Sequence, residues 1–135
     1  MNIESLVGEF ESLTLPRAAW THQAHMAVAL WYLRRDPYDM AVSRLRAGIQ
    51  RYNVASGHPR GYHETITLAW CAIIASFLET HDRGQPAEEL LSKLVEQCGA
   101  PDYLLRFYSR ERLMSEAARS EWQAPDLARL PGAGW

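Results

Sequence analysis

Two short stretches of this chain carry residue types that could do chemistry. In "WTHQAHM", His22 and His25 stand three apart; in "GYHETIT", His63 and Glu64 stand side by side. On a helix, a spacing of three places His22 and His25 on one face. That face continues with Ala29 and then Tyr32 or Leu33, which are core-type residues. The same geometry puts His63, Thr67, Trp70 and Ile74 in one row, with Glu64 about 100° around the helix. The three imidazoles are therefore expected to point inward at one end of the molecule, with Glu64 at the edge of the same pocket.

A polar group buried without a partner costs about 1–3 kcal/mol, so something must satisfy these four residues. Three readings do so, and the residues leave all three open. In the first, the residues satisfy one another and the backbone: His22 or His63 caps a helix or meets a carbonyl, and Glu64 acts as a first-turn acid that neutralises a histidine. In the second, His22, His25 and His63 hold a transition metal such as zinc or iron, with Glu64 as fourth ligand or general base. The motif support is thin, because Thr67 stands where the HExxH signature needs its second histidine, and the ExxH pairs of di-iron bundles are absent. In the third, two converging helix N-termini and the Thr21, Thr65 and Thr67 hydroxyls bind a small carboxylate or phosphate, with His63 and Glu64 as acid and base.

Other polar residues are weaker candidates. Ser109 suits the cap of a following helix, and Arg119 could fold back on Glu64 or on a ligand. His58 and His81 fall in loops. Trp20, Trp31, Tyr32, Tyr62 and Trp70 flank the site residues and would shape an apolar pocket.

These side chains need elements to position them. Ile3, Leu6, Val7, Phe10 and Leu13 mark a helix over 2–13. Thr21 is a good N-cap for a strongly apolar helix over 22–35. Asp36-Pro37 reads as a cap followed by proline in the first turn of a helix over 37–54. That helix has Met40, Ala41, Leu45, Gly48, Ile49 and Tyr52 inward and Arg44, Arg46, Gln50 and Arg51 solvated. "ITLAWCAIIASFL" forms the body of a second apolar helix, over 61–80. A helix over 86–98 ends at Gly99, a short one follows Asp102, and "RERLMSEAARSEW" suggests a last one. Nothing alternates with a strand's period of two. The expectation is an all-α, single-domain bundle of six or seven helices over 1–135, with an extended tail over 123–135. That tail is expected to roof the pocket, and its Trp122, Leu127, Leu130 and Trp135 suit either a self-docked lid or a dimer contact.

Composition narrows the class. At 135 residues the chain holds one core. A net charge of −2 offers no field to gather nucleic acid. Lys93 is the single lysine, so the positive charge is almost all arginine, a residue suited to carboxylates and phosphates. The two cysteines, Cys71 and Cys98, form no CxxC pair. "MNIESLVGEFESL" carries acids where a signal peptide needs bases, and no apolar run reaches membrane-span length. A reduced, cytoplasmic protein with no membrane or nucleic-acid partner is expected. No G-x-S-x-G, P-loop or G-x-G-x-x-G motif is present.

The stretches "LPRAAWTHQAHMAVALWYL", "RAGIQRYN", "GYHETITLAW" and "YSRERLMSEAARSEWQAPDLARLP" resemble a family of small, uncharacterised bacterial proteins. The resemblance covers roughly residues 9–131. It implies that His22, His25, His63, Glu64, Ser109, Arg119, Pro125 and Asp126 belong to one pattern, and it supplies no chemistry. The expectation is a small-molecule-binding helical protein, a small enzyme or metal-dependent protein, with His63 and Glu64 as the catalytic pair and Thr21, Thr67, Ser109 and Arg119 around the ligand. The alternative is a non-catalytic interaction module or homodimer in which the His/Glu cluster is purely structural.

Overall fold

The computed structural model describes residues 2–132, and every regular element among them is helical. Helix α1 (Ile3–Glu11) begins where the Asn2 side chain accepts from the Ser5 amide, and it buries the stripe Ile3, Leu6, Val7 and Phe10. Helix α2 (His22–Arg35) begins where the Thr21 hydroxyl accepts from the Ala24 amide at 3.1 Å. It packs against α1 and against α3 (Tyr38–Ala55), α4 (Glu64–His81) and α5 (Ala87–Cys98). Contact on so many sides explains why Ala24, Met26, Ala27, Val28, Ala29 and Leu30 are all buried. The other apolar helix, α4, buries Ala69, Cys71, Ala72, Ile73 and Ile74 against the same core.

Helix α3 passes close to α1 at Gly48, where an added Cβ would lie 2.8 Å from the Phe10 ring. Glycine is needed there for close approach of the two helices. Asp36 ends α2 instead of capping α3, and it takes the Arg44 guanidinium at 2.9 Å. Met40 sits outside, 56% exposed, and not on the inner face as the periodicity suggested.

Two further differences from the sequence reading have local causes. Helix α4 starts at Glu64, not 61, because His63 is extended (φ −134°) and uses its own ring as the N-cap. "RERLMSEAARSEW" gives two short helices, α6 (Arg110–Leu113) and α7 (Glu116–Ser120). Ser109 and Ser115 each accept from the amide three residues on, so the second serine starts a new helix before the first can continue. Single 3₁₀ turns occupy Arg17–Ala19 and Tyr103–Arg106.

The segment after α7 is extended but firmly docked. Thr65, fully buried on α4, donates to the Glu121 carbonyl at 2.9 Å and accepts from the Gln123 amide at 3.1 Å. Tyr108 donates to the Gln123 carbonyl, and the Asp126 carboxylate accepts from the Ser109 amide and hydroxyl at 2.7 and 2.6 Å. Leu130 is 3% exposed and Trp122 packs on the core, whereas Leu127 remains in solvent. Trp135 lies outside the described residues.

Candidate functional site

Three helices turn a stripe toward a common space. His22, His25, Met26 and Ala29 come from α2, Leu45 and Ile49 from α3, and Ile66, Thr67, Trp70 and Ile74 from α4. The spacings are those of single helix faces, and they enclose a cavity of about 340 Å³. That lies within the range of about 300–1,000 Å³ typical of ligand pockets, which are mostly apolar with a few convergent polar groups. The rows inferred for α2 and α4 are therefore correct from Thr67 onward and at both histidines of α2.

His25 is the most constrained of these polar groups. Its Nδ1 lies 2.7 Å from the Thr21 carbonyl, and a carbonyl can only accept, so Nδ1 carries the proton. Trp20 stacks on the ring at 3.8 Å between centroids. Burial pushes the imidazole down to about 4; the Thr21 carbonyl opposes that shift, and the nearby His22 and Arg17 add to it. The ring is thus neutral at ordinary pH, with Nε2 an acceptor that no other described residue engages. His22 meets Trp70 edge-on at 5.3 Å, and burial of part of its ring lowers its pKa also.

His63 does not join them. Its Nδ1 accepts from the Ile66 amide at 3.1 Å, which puts the proton on Nε2, and Nε2 donates to the Leu113 carbonyl at 2.8 Å. Burial lowers its pKa against the pull of that carbonyl. With both nitrogens committed to α4's start and α6's end, the ring has no lone pair left for a metal and no site for proton transfer. The three-imidazole set read from the sequence is therefore not assembled. Among the described residues, no group of three or more His, Cys, Asp and Glu is placed to hold a metal.

Glu64 is equally occupied, and its partner is one the sequence reading placed in solvent. Arg46 clasps the carboxylate with two parallel bonds, Nε to Oε1 at 3.0 Å and Nη2 to Oε2 at 2.7 Å. The Tyr62 hydroxyl donates to Oε1 as well. Desolvation alone would raise the Glu64 carboxyl, but the Arg46 and Tyr62 bonds outweigh it and hold the group below its ordinary value. Desolvation, together with the Glu64 bond, pushes the Tyr62 phenol up. An acid held ionised and triply bonded is a poor general base. The clue missed in the sequence was the helix face of Arg46: it directly follows Leu45, a cavity residue, and so lies at the edge of that face rather than opposite it.

A double-mutant cycle on Arg46→Ala and Glu64→Ala is expected to give a coupling of about 1 kcal/mol in urea denaturation, weakened by salt. Additive single effects would contradict the clasp.

The remaining candidates lie elsewhere. Thr21 caps α2, and the Thr67 hydroxyl, though in the cavity wall, donates to the His63 carbonyl at 2.9 Å. Ser109 is bound to Asp126 and caps α6. Arg119 does not reach Glu64; it donates to the Arg60 carbonyl at 2.8 Å. No described residue of the C-terminal segment lines the cavity, and the described part of the segment packs around Thr65 and Tyr108 instead of roofing it. Of the aromatic residues expected as walls, Trp70 lines the cavity and Trp20 backs His25. Trp31 lies under Arg35, and the Tyr32 hydroxyl donates to Glu11. Pro125 and Asp126 belong to the docked segment, so the residues grouped by the resemblance are spread over the cavity, the start of α4, α7 and that segment. No family profile, curated protein or solved structure matches this chain.

Proposed function

We propose that the chain binds a small, largely apolar molecule in the cavity between α2, α3 and α4, and that the molecule presents a hydrogen-bond donor to His25. The observation that carries this reading is the His25 ring: a neutral imidazole with its proton fixed on Nδ1, lining an apolar cavity with an unengaged acceptor. A conjugate acid titrating near 4 makes a weak base at neutral pH, so the ring suits anchoring better than proton abstraction. With His63 and Glu64 both tied down, binding without catalysis is the reading favoured here. The cytoplasm is the location we infer, because Cys71 and Cys98 are free and buried, as in reducing compartments. Among the described residues no helix is long and apolar enough to cross a membrane.

The test uses β-naphthol and naphthalene, which differ by one hydroxyl. β-Naphthol is expected to bind at one site, quenching Trp70, and naphthalene to bind about tenfold more weakly for want of the hydrogen bond. Ala29→Phe, which fills the cavity, is expected to abolish both. Equal binding by the folded Ala29→Phe variant would refute the site. Equal affinity for the two probes would refute the role given to His25. A self-associating module, the alternative from a different class, would instead show a mass that rises with concentration and no saturable uptake of either probe.

A further inference from the structure

A second cavity, of about 430 Å³, lies across the wall formed by His22, Ile66 and Trp70, which line both spaces. Its far side is built from Pro101, Leu104, Leu105, Leu113 and Met114, with Asp102 and Arg110 as its charged groups. The two halves of the wall differ in firmness. Trp70 is stacked on Tyr103 at 5.7 Å, and Tyr103 in turn meets Phe107 and lies beneath Arg106. His22 is exposed and makes no hydrogen bond to the described residues, so it is the side chain that can move.

Asp102 and Arg110 carry opposite charges on one cavity, yet they form no ion pair with each other or with any other described residue. The side chain of Asp102 does not cap the turn that follows it. Two unpaired opposite charges beside an apolar space match a ligand head that carries both signs. A carboxylate alone would meet the repulsion of Asp102, and an ammonium alone that of Arg110.

We infer that the two cavities are halves of one site for an elongated zwitterionic amphiphile. Its apolar body extends past His22 into the α2–α3–α4 cavity, and its α-ammonium and carboxylate groups sit at Asp102 and Arg110. This rests on the cavity being a binding site, as proposed above. The class is that of α-amino acids whose long apolar side chain carries a hydroxyl that donates to His25 Nε2; plain decyl compounds test the head group alone.

The experiment compares α-aminodecanoic acid with decanoic acid and decylamine by calorimetry, with β-naphthol as a probe of the first cavity alone. The zwitterion is expected to bind about tenfold more tightly than either single-charge analogue. Arg110→Gln and Asp102→Asn are each expected to weaken it by about threefold, the range of exposed charge pairs. Asp102→Asn should also improve decanoic acid. Met114→Trp, at a surface position of the second cavity, should weaken the zwitterion and leave β-naphthol unchanged. If β-naphthol binds but the three amphiphiles bind alike, the inference is overturned and the first site stands. If the zwitterion is indifferent to all three substitutions while β-naphthol binds, it is overturned as well. If nothing binds, the proposed function falls and this inference with it.

Discussion

Between pH 7 and pH 5 the protein is expected to lose about 2 kcal/mol of folding stability through His25 alone. Its folded value of about 4 lies below the ordinary 6.5 of an unfolded histidine, because burial disfavours the charged ring. The unfolded chain therefore binds more protons throughout this window, and stability must fall with pH. The stabilisation is complete above about pH 6.5 and is lost as the pH drops toward 4, with a limiting slope of about 1.4 kcal/mol per pH unit. His22 and His63 are lowered too, also first by burial, and act in the same direction. Glu64, Glu88, Asp82 and Asp126 have lowered values as well, but their unfolded groups are no more than about a quarter protonated at pH 5, so the histidines dominate the window from 6.5 to 5. Urea denaturation at pH 7, 6 and 5 measures the loss. His25→Phe keeps an aromatic ring against Trp20 and removes the titrating group. Its curve should be flatter by most of the predicted amount, and an unchanged curve would show that His25 is not the source.

Thr65→Val is expected to cost about 2 kcal/mol, although it is nearly isosteric. Thr65 is 0% exposed, and its hydroxyl both donates to Glu121 and accepts from Gln123. Valine leaves a carbonyl and an amide without partners, and the cost of an unsatisfied group exceeds the net worth of the bond that held it. The loss should be local as well as global. With Thr65 gone, the strap over 121–130 keeps its ties to Tyr108, Arg112, Ser109 and the Phe107 carbonyl but loses both bonds at Glu121 and Gln123, so cleavage at its start by a nonspecific protease should speed up well before the core opens. Thr65→Ser keeps both bonds and should recover most of the effect. A strap equally protected in Thr65→Val would mean that the hydroxyl does not hold it.

The all-helical class and the limits of α2 were legible because both follow from local rules. Thr21 can accept from the amide three residues on wherever the chain goes, and Pro37 stops α2 in any tertiary setting. The cavity stripes were legible for the same reason: a period of 3.6 residues puts His22, His25 and Ala29 on one face of α2, and Thr67, Trp70 and Ile74 on one face of α4, before any neighbour is known.

What the sequence by itself determined is thus the five long helices and, on α2 and α4, the face each turns inward. Tertiary structure alone decided which polar groups were spent. His63 and Glu64 look identical in sequence whether they are free or bound. Only the approach of Leu113's carbonyl, fifty residues away, commits the second nitrogen of His63, the first being taken locally by the Ile66 amide, and only Arg46 on the neighbouring helix clasps both oxygens of Glu64. A hydrogen bond depends on a separation of about 3 Å between atoms of remote segments, and helical periodicity fixes a direction around an axis but no such distance. His25 escaped that fate because its one bond is local, to Thr21 a single turn back, and this leaves its other nitrogen to the cavity.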